Sequence, residues 1–185
     1  MKILKQEFYN RPTLKVAQDL LGCFLVRRLG DNIIKAKIVE TEAYNGPKDL
    51  ASHASKGKTN RNGVMFSEPG IIYVYFTYGM HYMLNIVTEK KDYPAAVLIR
   101  ALEPIGFDLK TNGPARLTKA LQIDKIFNCL PIYKKKNGLW IEGDEKEKKE
   151  FNIVKTTRVG IDYAKEYKNK KWRFYIKGNK FISKA

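Results

Sequence analysis

Apolar residues recur at Leu14, Ala17, Leu20 and Leu21, a helical spacing that predicts a helix over Arg11–Gly22, with Pro12 in its first turn and Gly22 as its stop. Beyond Gly22 the period shortens to that of strands. Cys23–Leu29 and Ile33–Tyr44 are expected to pair across Gly30, Asp31 and Asn32. In the second segment Ile34, Ala36 and Ile38 alternate with Lys35 and Lys37, and this regularity is confined to its first half. Residues 45–70 are polar, rich in Gly, Asn and Pro, and predict an irregular connection of the length that usually carries function. Ile71–Thr77 and Tyr82–Glu89 predict strands around a turn at Tyr78, Gly79 and Met80, and the apolar run Ala95–Leu102 predicts a central strand. Gly113–Ile123 predicts a second helix, with Leu117, Ala120 and Leu121 on one face. Leu139–Glu142, Thr156–Val159 and Trp172–Ile176 predict short strands, and Lys134–Asn137 and Asp144–Glu150 charged surface loops. The sum is an α+β fold: one mixed domain over residues 1–185, with a curved, antiparallel-rich sheet flanked by helices.

Composition adds a partner to this picture. The 185 residues carry 35 Lys and Arg against 19 Asp and Glu, a formal net charge of +16. An excess of that size favours a polyanion, nucleic acid ahead of a membrane surface. Two cysteines, Cys23 and Cys129, and two histidines make neither a disulfide framework nor a zinc cluster, so buried, unbridged thiols in a reducing compartment are expected. The first residues, Met1–Gln6, are too short and charged for a secretory signal, and no apolar run reaches the roughly 20 residues of a membrane span. The expectation is a soluble intracellular protein, cytoplasmic at the nucleoid in a bacterium (which the Lys-, Ile- and Asn-rich usage suggests) and nuclear in a eukaryote.

Two segments concentrate the candidate chemistry. The first runs from Val39 through Glu40, Glu42 and Tyr44 to His53, and the second from Gly70 to Asn85, with Arg100 closing the region. A carboxylate on the binding face of a cationic protein is repelled by phosphate and needs a reason to be there. Glu42 is either a strand-end residue paired with a lysine or a general base for water. Glu40, two residues earlier, shares its face in a regular strand, and spacing does not choose between them. Tyr73 and Tyr75 share a strand face, and Tyr78 sits at the turn. Such rings serve packing, or they clamp an extruded base while a turn residue fills the gap left in the duplex. His53 and Asn85 each fit a structural role as well as a pocket. Arg100, within an apolar strand, requires an anion, for which Glu42 or a DNA phosphate would serve. Three functional classes stay open on the residues alone: a base-excising enzyme, a non-catalytic nucleic-acid-binding domain, and a hydrolase of free nucleosides.

The segments VETEAYNGPKDLASHA (Val39–Ala54), MFSEPGIIYVYFTYGMHYMLNI (Met65–Ile86) and LIRALEP (Leu98–Pro104), supported by NGPARLTKAL (Asn112–Leu121), closely resemble the alkyladenine DNA glycosylase family, the mammalian type of 3-methyladenine DNA glycosylase. The resemblance extends over nearly the whole chain, from Phe8 to Gly178. It implies a monofunctional glycosylase of double-stranded damaged DNA, working as a monomer, without metal or organic cofactor and without a lysine nucleophile. The family's catalytic carboxylate falls on Glu42, leaving Glu40 a bystander, and Arg100 matches the arginine near the catalytic water. Tyr44 and Tyr75 match the base-stacking rings, His53 completes the pocket, and Asn85 matches the asparagine that clashes with the amine of normal guanine. Tyr78 matches the residue inserted into the duplex, with Met80 and His81 beside it on the DNA. His81 departs from the aromatic expected in vertebrate members, and is read as a DNA contact rather than a catalytic group. The implied lesions are 3-methyladenine, 7-methylguanine and hypoxanthine, with the cationic alkylated purines stacking on electron-rich rings.

Overall fold

The computed structural model describes residues 1–143 and 150–184. Three short helices, α1 (Gln6–Tyr9), α2 (Thr13–Asp19) and α3 (Pro114–Ala120), pack on an antiparallel sheet of nine strands. The strands are β1 (Lys2–Ile3), β2 (Phe24–Leu29), β3 (Asn32–Asn45), β4 (Ile72–Thr77), β5 (His81–Val87), β6 (Ala95–Ile105), β7 (Leu139–Gly143), β8 (Ile153–Thr156) and β9 (Arg173–Ile176). The main path runs β1-β7-β2-β3-β6-β5-β4, and β9, itself paired with β8, joins β3. The expected α+β class, a sheet with flanking helices, is what the chain adopts.

The long strand β3 organises the molecule. Its first half pairs with β2, its second half pairs with β9 over Glu40–Glu42, and β6 lines its other edge throughout. The pairing with β6 shifts on both sides of Glu40 and resumes at Thr41 with Ile99. Cover on both faces explains why alternation fades after Ile38: every residue from Ile38 to Ala43 is buried. One face carries Thr41, Ala43, Val97, Ile99 and Leu84 into the main core, where the Thr41 hydroxyl donates to the Ala17 carbonyl of α2 at 2.8 Å. The opposite face, from Glu40 onward, is polar. Burial of the apolar face is what holds the sheet together, at about 1.5–3 kcal/mol for each large side chain.

The helices are shorter than their pattern. The segment expected as one helix from Arg11 begins at Thr13, with Pro12 outside it as a cap in extended geometry, and a separate α1 precedes it. Glu89 substitutes for a local cap by accepting from the Thr13 backbone N–H at 2.7 Å and its hydroxyl at 3.0 Å. The strand expected over Thr156–Val159 lies earlier, at Ile153–Thr156, because Arg158 and Val159 are committed to side-chain and turn contacts. Neither cysteine is in a disulfide. Cys23 is buried as expected, whereas Cys129 is exposed in a left-handed turn at φ 67°. Of the two charged loops, Lys135–Asn137 forms a short 3-10 turn, and most of the second, residues 144–149, lies outside the described residues. No helix among the described residues is long and apolar enough to cross a membrane.

Candidate active site

Cross-strand register builds the site before any side chain is placed. In antiparallel pairing, directly opposed residues share a face. Tyr73 of β4 opposes Asn85 of β5, Asn85 opposes Leu98 of β6, Leu98 opposes Glu42 of β3, and Glu42 opposes Arg173 of β9. Tyr75, Arg100, Glu40 and Tyr44 are two residues from members of this row and fall on the same face. Tyr44, Tyr73, Tyr75, Asn85, Leu98 and Arg100 of that face line a pocket of about 310 Å³, together with Ser52, His53, Val159, Gly160, Ile161 and Tyr163.

Glu42 is wholly buried and every oxygen is engaged. Oε1 accepts the Val159 backbone N–H at 2.8 Å and pairs with Arg100 Nη1 at 3.2 Å, while Oε2 accepts the Tyr44 hydroxyl at 2.9 Å. The Arg100 guanidinium reaches further, donating from Nε to Glu40 Oε1 at 3.0 Å. Glu40 also receives Arg173 Nη1 at 2.9 Å, and the Ser183 hydroxyl and N–H at 2.9 and 2.5 Å. Burial alone would pull the Arg100 pKa down, but the charges of Glu42 and Glu40 outweigh it and hold it above its ordinary value. Of the two anions proposed from sequence for Arg100, the structure supplies Glu42, and adds Glu40.

The rings divide into two walls. Tyr44 forms one; its phenol is pushed well above its ordinary pKa by burial and then by the adjacent Glu42 charge, so it remains a donor to that carboxylate. The second wall is Tyr73, Tyr75 and His53. The Tyr75 ring lies 5.3 Å from Tyr73 and 4.6 Å edge-on from His53, measured between centroids. His53 Nδ1 is 3.1 Å from the Tyr73 hydroxyl. His53 is exposed to solvent, yet its ring packs edge-on against Tyr73 and Tyr75. Desolvation there, followed by the Arg61 charge, lowers its pKa and favours the neutral imidazole at pH 7. Burial raises the Tyr73 phenol to about 12 and the Tyr75 phenol higher still. Asn85 is buried, its amide fixed by donation to the Tyr73 and Met83 carbonyls, both at 3.2 Å.

At the mouth stands the β4–β5 turn. Tyr78 and Gly79 both take positive φ, 53° and 66°, the pattern of a tight hairpin, and the Met80 N–H returns to the Thr77 carbonyl at 3.2 Å. A tyrosine in this left-handed region is strained by about 1–2 kcal/mol. Tyr78 is 84% exposed and Met80 68%, so the strain holds two large apolar side chains in solvent. His81 opens β5 and is half-buried; it lines a separate groove with Met80 and Lys119 rather than the pocket.

The structure therefore brings Arg100, Tyr44, His53, Tyr75 and Asn85 into one pocket, with Tyr78 on its rim; Glu42 lies buried behind the lining, bonded to Arg100, Tyr44 and Val159 of it, and Met80 and His81 stay on the adjacent surface. Sequence reasoning passed over Arg158 and Asp49. They form a buried pair, at 2.6 and 2.8 Å, that fixes the turn delivering Val159 to Glu42. Nothing local signalled it, since Asp49 lies in a polar loop and Arg158 beside an expected strand, 109 residues apart. Among the described residues no group of three or more His, Cys, Asp or Glu is placed to hold a metal ion.

Comparison with known proteins gives the same direction throughout. Residues 7–180 match the family model described as methylpurine-DNA glycosylase (MPG). A protein of Clostridium perfringens (strain SM101 / Type A) is 44% identical over 203 aligned residues, covering 98% of each chain. One of Methanocella arvoryzae is 46% identical over 198, covering all of this chain and 97% of its own, and one of Legionella pneumophila (strain Corby) is 46% identical over 186, covering both completely. These relatives bear the name 3-methyladenine DNA glycosylase. The chain belongs to the methylpurine-DNA glycosylase family and is a DNA glycosylase, a hydrolase of the glycosidic bond.

Proposed function

We propose that this glycosylase takes an alkylated purine, 3-methyladenine first and 7-methylguanine with it, out of duplex DNA into the pocket between Tyr44 and Tyr75 and hydrolyses its bond to deoxyribose. Hypoxanthine belongs to the same proposal as a neutral substrate. The observation that carries this reading is the buried Glu42 carboxylate, held directly behind a pocket walled by aromatic rings through Arg100, Tyr44 and the Val159 N–H, three residues that line it.

The chemistry follows from that position. As the C1′–N bond lengthens, positive charge grows on the sugar, and a fixed anion beneath it stabilises that charge. Glu42 accepts a proton from the attacking water, whose oxygen bonds to C1′ while the purine departs with the bonding electrons. A 3-methyladenine nucleotide is cationic and leaves as a neutral base, so it needs no acid. Hypoxanthine leaves as an anion unless protonated. Arg100 fixes the Glu42 carboxylate through their ion pair, and so acts as a positioning group at the reacting carbon. Tyr78, exposed on a strained turn, enters the stack in place of the everted nucleotide. The rigid Asn85 amide limits which purine edges fit. Met80 and His81 touch the groove beside the wedge, and the net charge of +16 supplies phosphate affinity.

The direct test is release of free base from duplexes carrying 3-methyladenine, 7-methylguanine or hypoxanthine. Release of 3-methyladenine at rates well above spontaneous loss is expected. Retention of every base in the panel would end the proposal.

A further inference from the structure

Both rings proposed to stack on the everted base carry a guanidinium against them. Arg158 lies 4.8 Å from the Tyr44 centroid and 5.1 Å from that of Trp172, fully buried in its pair with Asp49. Arg61, on the polar loop, lies 5.6 Å from the Tyr75 centroid and donates to the Phe76 carbonyl at 3.1 Å. Neither arginine lines the pocket, whereas both rings do. Each cation therefore sits against a stacking ring from outside the pocket lining. A cation on an aromatic ring draws its electron density and reduces what remains to attract a second cation.

The carboxylates tell the same story. Glu42 is claimed by Arg100, Glu40 by Arg100 and Arg173, and Asp49 by Arg158. Each acid of the site holds a guanidinium, so the pocket is not built as an anionic trap for a cationic base.

We infer that Arg61 and Arg158 are specificity-setting residues that bias the stacking walls toward neutral purines, against the intrinsic advantage of cationic ones. Cationic alkylated bases are then excised for their lability, while binding itself gives neutral lesions a comparable hold. Arg61 also adds to the lowering of the His53 pKa that desolvation begins, in the direction of a neutral imidazole. The inference rests on the pocket reading above and names what sets its selectivity.

The test separates binding from chemistry. Duplexes carry 7-methylguanine or hypoxanthine on a 2′-fluorinated sugar, which resists hydrolysis, and affinities are measured at about pH 6, where 7-methylguanine keeps its N1 proton and is a cation, for the natural protein and for Arg61→Met. Arg61 is exposed, so the variant is expected to fold, and Arg61→Gln provides a second neutral replacement. Loss of a phosphate contact would weaken both complexes alike and cancel in their ratio. The affinity ratio of 7-methylguanine over hypoxanthine is expected to rise about threefold to fivefold in both variants. An unchanged or falling ratio overturns the inference. If the natural protein releases no base from ordinary lesion DNA, the pocket reading fails instead, whatever the ratio does.

Discussion

Glu40 and Glu42 are two residues apart and chemically identical, and their surroundings separate them. Glu42 is tied to Arg100, Tyr44 and Val159, all of which line the pocket; Glu40 lies among Arg100, Arg173 and Ser183. The sequence reading left Glu40 a bystander, and its contacts instead make it the counter-charge on which two buried guanidiniums depend. Glu40→Ala is therefore expected to destabilise the protein by about 3–5 kcal/mol, because it leaves the buried Arg173 without its carboxylate and takes one of two from Arg100. Glu68→Ala, which removes an exposed partner 3.9 Å from Lys91, should stay within about 0.5 kcal/mol. Urea unfolding of the two variants checks both values, and equal midpoints would contradict the assignment. The candidate residues were legible because short ordered motifs carry them. Their partners were not, since an ion pair such as Asp49–Arg158 joins segments that share no local pattern.

At the level of elements, regular alternation made the hairpins visible and covered strands blurred it. The strands β4, β5 and β6 emerged nearly at their true limits because each alternates or runs apolar between clear turns. The second half of β3 did not announce its facing, because core on one side and site on the other bury every residue from Ile38 to Ala43. The two-residue β1 and the shifted β8 are edge pieces, set by partners distant in sequence rather than by their own pattern. In the proposed function the β4–β5 turn serves DNA entry at a cost in strain at Tyr78. Tyr78→Ala should leave the unfolding midpoint nearly unchanged, since the ring is 84% exposed. Excision from a fully paired duplex is expected to fall about tenfold or more, with a smaller loss when the lesion is mispaired and already partly unstacked. Equal losses on paired and mispaired substrates would remove Tyr78 from the role of wedge.

For the molecule as a whole, the cationic charge and the buried acid have opposite effects on DNA. In the proposed function the charge excess draws DNA in while a carboxylate at the site would repel it, and the burial of Glu42 and its tie to Arg100 reconcile the two. The account predicts that affinity and chemistry can be taken apart at this one residue. Glu42→Gln retains the shape of the side chain and removes its capacity to accept a proton. Binding to a duplex with an abasic site and release of 3-methyladenine under single-turnover conditions, measured side by side, should show affinity retained within a few fold and release reduced by about 100-fold or more. Release at the natural rate by Glu42→Gln would contradict the account.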